Sequence, residues 1–123
     1  MEKGLTYTSR EVVKESNLAI TVGSGDLEVY ASPAMAALME NAAMMAVASS
    51  LPEGSTTVGS LLEISHSRPS ALGESVSATA VLDEVEGRKL VFTVKAEDSK
   101  GVIGEGRHIR YVVDKERFMA KLR

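Results

Sequence analysis

The sequence predicts an α+β fold in which one antiparallel sheet of about five to six strands wraps around a long central helix. The helix is indicated by residues 32–48, a run rich in alanine and methionine with no glycine. The sheet is indicated by the second half of the chain, where apolar and polar residues alternate in runs separated by short turns. A length of 123 residues suggests a single domain, residues 1–123.

The predicted helix has a clear start and an unusual composition. Ser32 is a good N-cap, and Pro33 suits the first helical position, where a missing N–H costs nothing. The run is apolar on nearly every side and too short to span a bilayer, so we expect a buried core helix. Glu40 is the exception. A buried carboxylate must be hydrogen-bonded, protonated or facing a cavity, and a purely structural carboxylate is the plain alternative.

Before the helix, residues 5–14 read as a strand, rich in Thr, Tyr and Val. Residues 15–22 fit a short helix, an extended piece or a flap, and a turn follows at 23–26.

Four strands are predicted after the helix. Alternation over residues 57–66 places Val58, Ser60 and Leu62 on the face that carries Ile64 and His66, which should point at the helix. Residues 74–85 and 88–97 form the clearest hairpin. Its inward positions are Val76, Ala78, Ala80, Leu82, Leu90, Phe92, Val94 and Ala96. Residues 102–113 form a long last strand, and its pattern does not show which side chains face the helix. Residues 114–123 form a terminal helix capped by Asp114.

Composition excludes several classes of function. A net charge of −3 argues against a nucleic-acid-binding surface. The absence of cysteine excludes disulfides and thiolate chemistry, and two histidines alone give no metal-site spacing. No apolar signal-peptide core follows the first residues, so we expect a cytoplasmic protein that does not act at a membrane.

The order of strand, long helix and four strands matches the hotdog fold. One helix cannot cover all the apolar area of such a sheet, so a homodimer or a dimer of dimers is expected. Several segments also resemble the fluoroacetyl-CoA-thioesterase-like branch of the hotdog acyl-CoA thioesterases, and together they span nearly the whole chain. They are residues 29–40, 58–66, 101–108 and 117–118.

The specific part of the resemblance is a hydroxyl residue at the helix start, a glutamate eight residues later and a histidine 26 residues after that. In that family a Thr, a Glu and a His at this spacing form the catalytic constellation. The resemblance therefore implies Ser32, Glu40 and His66 as catalytic residues, with Ser32 where the fluoroacetyl enzyme has Thr. Serine keeps the hydroxyl but lacks the methyl group that stiffens the threonine rotamer.

The function implied is hydrolysis of a short- to medium-chain acyl-CoA thioester. Glu40 would activate water or attack the carbonyl, His66 would assist proton transfer, and Ser32 would position the carbonyl. Backbone N–H groups at the helix start could hold the oxyanion. No cofactor is expected, because coenzyme A enters as part of the substrate.

Gly59 and Arg68 are the candidate substrate-binding residues, with Arg68 among several basic residues able to meet the phosphates of coenzyme A. From the residues alone, a lone histidine such as His66 on an apolar face is more often a core residue. His108 is read as a structural or surface residue. The alternatives are a hotdog hydratase, for which no separate signature is found, and a non-catalytic module that binds acyl-CoA or a small acid.

Overall fold

The computed structural model describes residues 1–123 as five antiparallel strands and a few helices, and it confirms the α+β class. The sheet order is β1-β3-β4-β5-β2. The strands are β1 (Thr6–Val12), β2 (Ser55–His66), β3 (Ser75–Glu86), β4 (Lys89–Asp98) and β5 (Gly101–Asp114). The helices are α1 (Ala19–Val22), α2 (Ser32–Ala48) and α3 (Lys115–Ala120), with one 3-10 turn at Glu15–Asn17.

The core lies between α2 and one face of the sheet. From α2 it takes the buried side chains of Met35, Met39, Ala42, Ala43 and Val47. The sheet contributes every inward position predicted for the β3–β4 hairpin, all of them 1 % exposed or less. Alternation therefore identified the inner face of these two strands correctly, because each strand has one face packed on the core and one face toward solvent.

Two expectations about the helix are wrong. Ser32 is the first helical residue and Ala31 is the N-cap, with no side chain capping the helix. The helix is not buried on every side either, since the Glu40 side chain is 42 % exposed and Met45 is 39 % exposed. Glu40 lies beside the edge strand β2, where the sheet ends and leaves part of α2 uncovered in the isolated chain.

The predicted face of β2 is right in its second half and wrong in its first. Leu62 lies opposite the buried His108, and Gly59 lies opposite the buried Arg110, so these positions share the helix side. Between them the register shifts at a β-bulge. The extra residue reverses the alternation, which turns Val58 and Ser60 away from the face predicted for them.

The ends of the chain follow the predictions closely. The first strand is shorter than predicted, and residues 15–22 hold the 3-10 turn and α1. Asp114 caps α3 through a hydrogen bond of 3.0 Å that its Oδ1 accepts from the Arg117 N–H. None of the helices combines the length and the hydropathy that crossing a membrane requires.

Candidate active site

Ser32 and His66 form one hydrogen-bonded pair. The Ser32 Oγ lies 2.7 Å from the His66 Nδ1, because the fold brings the first residue of α2 to the last residue of β2. Tyr30, buried just before the helix, presents its ring edge-on to the His66 ring with 6.4 Å between centroids. The hydroxyl is exposed and the imidazole orientation is fixed, which suits a site that positions a carbonyl and moves a proton.

The other ring nitrogen of His66 is free for chemistry. Its Nε2 is buried and has no hydrogen-bond partner. Burial lowers the pKa of His66 below its ordinary value, so the ring is neutral at neutral pH. A neutral imidazole with one uncommitted nitrogen can accept or donate a proton.

A pocket of about 340 Å³ opens beside this pair. Its lining includes Ser32, His66 and Arg68 together with residues 24–27 and 29–30. The Arg68 guanidinium is half-exposed, 3.8 Å from the Asp98 carboxylate, and donates a 3.4 Å hydrogen bond to the Val102 carbonyl. The structure thus places the predicted substrate-binding Arg68 at the same pocket as Ser32 and His66.

Glu40 lies apart from the Ser32–His66 pair within the chain. Eight residues of α-helix separate it from Ser32, about 12 Å along the axis. Its polar neighbours are on β5: its Oε2 lies 3.6 Å from the Arg110 Nη1 and 3.8 Å from the His108 Nε2. The three predicted catalytic residues therefore form two groups, and one chain does not bring them into one cluster.

Gly59, the other predicted substrate-binding residue, lies beside Glu40. A Cβ atom at Gly59 would come within 2.8 Å of the Glu40 Oε2 and 3.1 Å of the His108 Cε1. The missing side chain thus makes the space that the Glu40 carboxylate occupies.

Sequence reasoning missed Arg110, and of the two interpretations of His108 the structure excludes only a surface residue. Both are buried, and both face Glu40 from β5. The signal that was available is the alternate series Gly104, Gly106, His108 and Arg110. A Cβ at Gly104 would strike the Met35 side chain on α2, so the whole series faces the helix. A glycine at 104 that allows the helix to come close would have given the facing of this strand.

The helix start offers fewer oxyanion donors than expected. The N–H groups of Ala34 and Met35 already donate to the Ala31 carbonyl, and Pro33 has no N–H. The Ser32 N–H has no backbone acceptor. It is the one backbone donor at this helix start that remains available to a bound carbonyl.

Comparison with known proteins connects this geometry to a family. The family described as FlK, fluoroacetyl-CoA-specific thioesterase, matches residues 13–116. The fluoroacetyl-CoA thioesterase of Streptantibioticus cattleyicolor is 40 % identical over 96 residues, which cover 78 % of this chain and 69 % of that protein.

Solved structures agree. A threonine-to-serine variant of FlK in complex with acetyl-CoA superposes with a TM-score of 0.94 at 34 % identity, covering 99 % of this chain and 96 % of that one. A hypothetical protein of Thermus thermophilus, a thioesterase superfamily member, superposes with a TM-score of 0.90 at 26 % identity over 98 % and 90 % of the two chains. This chain therefore belongs to the fluoroacetyl-CoA-specific thioesterase family, which has the hotdog fold.

Proposed function

We propose that this protein hydrolyses short- to medium-chain acyl-CoA thioesters to the free acid and coenzyme A, at a site shared between two copies of the chain. Thioester hydrolysis is the activity of its family. The observation that supports a shared site is that the predicted catalytic residues lie in two separate groups within one chain. Ser32 and His66 meet at a pocket, while Glu40 lies half-exposed beside Gly59 on the edge strand β2.

A two-fold axis can join the two groups. β2 is an edge strand of 12 residues, and an unpaired edge is a template for pairing with another chain. If β2 pairs with its own copy about an axis through Glu63, the extra residue of the bulge lets His66 face Gly59 of the partner subunit. Since Gly59 adjoins Glu40, this register brings Glu40 of the partner subunit toward the Ser32–His66 pair.

Burial favours the same arrangement. The buried Arg110 guanidinium has Glu40 as its anionic neighbour, yet the Glu40 side chain is 42 % exposed in the single chain. A partner across β2 would cover this carboxylate and the half-buried apolar residues of the strand, Val58, Leu61, Leu62 and Ile64. Sedimentation at micromolar concentration should then give a mass of about twice 13.1 kDa, or a multiple of it for a dimer of dimers, and a clean monomer would contradict the shared site.

In the proposed reaction, Ser32 positions the thioester carbonyl. Glu40 takes a proton from water, whose oxygen attacks the carbonyl carbon, or it attacks that carbon itself to form an anhydride that water then opens. Either way the C–S bond breaks, the thiolate leaves and takes up a proton with the help of His66, and the acid is released. Hydrolysis needs no other co-reactant than water.

A single turnover in ¹⁸O-labelled water distinguishes Glu40 as a base from Glu40 as a nucleophile whose anhydride is opened at the glutamyl carbon. With Glu40 as base, the released acid carries the label at once. With Glu40 as nucleophile and water opening the anhydride at the glutamyl carbon, the first acid is unlabelled and Glu40 gains the label. Release of unlabelled acid with no label in the protein would contradict both.

The assay that tests the proposal measures free thiol released from a panel of acyl-CoA thioesters, with chelator present because no metal is expected to take part. We expect turnover by the wild-type chain. A non-catalytic module that binds acyl-CoA or a small acid is the alternative; it would raise its melting temperature with acyl-CoA and release no thiol. The cytoplasmic location stays a prediction.

A further inference from the structure

His108 is a buried titratable residue to which the proposed chemistry gives no part. It is 1 % exposed, and its ring packs against Phe92 with 6.2 Å between centroids. Its Nδ1 lies 2.7 Å from the Leu61 carbonyl oxygen. A carbonyl can only accept, so Nδ1 carries a hydrogen and donates it. Burial, with the Arg110 charge adding to it, lowers the pKa of His108, which leaves the ring neutral and its Nε2 unprotonated.

Arg110 supplies the hydrogen that this Nε2 accepts. Its Nη1 lies 3.1 Å from the His108 Nε2, and a guanidinium can only donate. Two more hydrogen bonds fix the group: Nε donates to the Thr57 Oγ1 at 2.8 Å and Nη2 to the Thr57 carbonyl at 2.9 Å. The guanidinium is therefore held at three nitrogens. Its Nη1 has a second hydrogen, and the Glu40 Oε2 lies 3.6 Å from that nitrogen.

The approach of Glu40 to His108, 3.8 Å, is within ion-pair distance. It is not an ion pair, because a neutral ring with an unprotonated Nε2 presents a lone pair to the carboxylate. Of these two β5 residues, only Arg110 attracts the Glu40 carboxylate by its charge.

We propose that His108 is a positioning residue: as the Nδ1–H tautomer it accepts a hydrogen bond from Arg110 and thereby holds the guanidinium that places Glu40 for catalysis. This inference rests on the proposed thioesterase function. It assigns no proton transfer to His108. The histidine fixes the direction of the Arg110 Nη1, and the charge on that group fixes the position of the Glu40 carboxylate.

Two amide substitutions test the hydrogen bonds of the two His108 ring nitrogens separately. His108→Gln places its amide near the position of Nε2 and can still accept from Arg110. His108→Asn places its amide near Nδ1, so it can donate to Leu61 and cannot reach Arg110. A displacement of about 1 Å in a reacting group costs on the order of a hundredfold in rate. We therefore expect His108→Asn to lower kcat roughly tenfold to a hundredfold with little change in KM, and His108→Gln to restore most of that loss.

Two controls accompany this comparison. Both variants are melted, so that a loss of folded protein is not counted as a loss of kcat. His108→Asn is repeated together with Glu40→Gln, where it should lower the remaining turnover no further, since the group it positions is gone. Equal losses in the two single variants, unchanged turnover in both, or a full additional loss beside Glu40→Gln would each overturn the proposal.

A measurement on the wild-type protein does not depend on activity. Nitrogen-15 NMR of the histidine ring should show a hydrogen on Nδ1 of His108 and none on Nε2 near neutral pH. A hydrogen on Nε2 would overturn the proposal even if the enzyme is active. If the wild-type chain releases no thiol, the proposed function is wrong, while the ring spectrum still decides whether His108 can accept from Arg110.

Discussion

The Oγ atom of Ser32 lies 2.7 Å from the Nδ1 atom of His66, which joins the first residue of α2 to the last residue of β2. The serine hydroxyl is thereby committed to the imidazole and does not cap the helix, whose N-cap is Ala31. This contact gives Ser32 a role in the site that is separable from helix stability.

Removal of the hydroxyl should therefore affect turnover more than stability. We expect Ser32→Ala to lower kcat roughly tenfold to a hundredfold, with a change in the free energy of unfolding within about 0.5 kcal/mol. Ser32→Thr keeps the hydroxyl and is the matched control. Thiol release and chemical denaturation measure the two effects. A loss of about 1 kcal/mol or more, with turnover intact, would show that the hydroxyl supports the fold only.

A methyl group at Gly59 should displace the Glu40 carboxylate. The added Cβ would meet the Glu40 Oε2 at 2.8 Å, and that atom is the end of a flexible, half-exposed side chain. We expect Gly59→Ala to fold, to lose some stability because the Cβ also comes within 3.1 Å of the buried His108 ring, and to lose at least tenfold in turnover. Gly106→Ala is the contrasting control, because its Cβ would meet the Glu63 backbone carbonyl and should destabilise the sheet. Full turnover in Gly59→Ala would contradict the placing of Glu40 at the site.

Both histidines should make the fold sensitive to mild acid. Burial lowers the pKa of His66 and of His108 below the ordinary 6.5. Between the lowered values and 6.5 the unfolded chain binds more protons than the folded chain, so the free energy of unfolding falls as the pH falls through this window. The melting temperature should drop on going from about pH 7 to about pH 5, and His108→Gln should reduce that drop. The same acid dependence in the variant would contradict the burial of a neutral His108.

Ser32, which lacks the methyl group of the family's threonine, predicts an acyl pocket that is not tuned to one acyl group. The methionines of α2 take no part, because Met35 and Met39 are buried in the core and no methionine lines the pocket. We expect hydrolysis of acetyl-CoA and fluoroacetyl-CoA without strong preference between them. The measurement is the ratio of kcat/KM for the two substrates. A preference for fluoroacetyl-CoA above about a thousandfold, roughly 4 kcal/mol of transition-state discrimination, would contradict this prediction.

The parts of the fold that local pattern encodes were predictable. The inner face of the β3–β4 hairpin follows from alternation, and α2 follows from helix propensity. The start of α2 was misplaced by one residue. A Ser-Pro pair fits the positions N-cap and N1 as well as the positions N1 and N2, and the second placement is the one observed. The first half of β2 was assigned to the wrong face because one bulged residue reverses the alternation, and Gly59 beside it is its only sequence sign.

The site was predictable only as a set of residues. Ser32, Glu40 and His66 were named from the resemblance, whereas their separation into two groups depends on helix length and on which element each faces. The contacts of His108 and Arg110 with Glu40 depend on the register between β2 and β5, which places them opposite Leu62 and Gly59. Register between strands far apart in sequence is a tertiary property.

Complementation between two inactive variants tests the shared site most directly. Glu40→Gln alone, and His66→Ala alone, should each lower turnover by roughly a hundredfold to ten-thousandfold. Unfolded together in equal amounts and refolded, they should form mixed dimers in which one site has both intact residues, His66 from one subunit and Glu40 from the other. Random pairing makes half of the dimers mixed, so turnover should recover to about a quarter of wild type. If the mixture stays as inactive as the separate variants while mixed dimers are shown to form, the catalytic residues do not come from two subunits and the account is wrong.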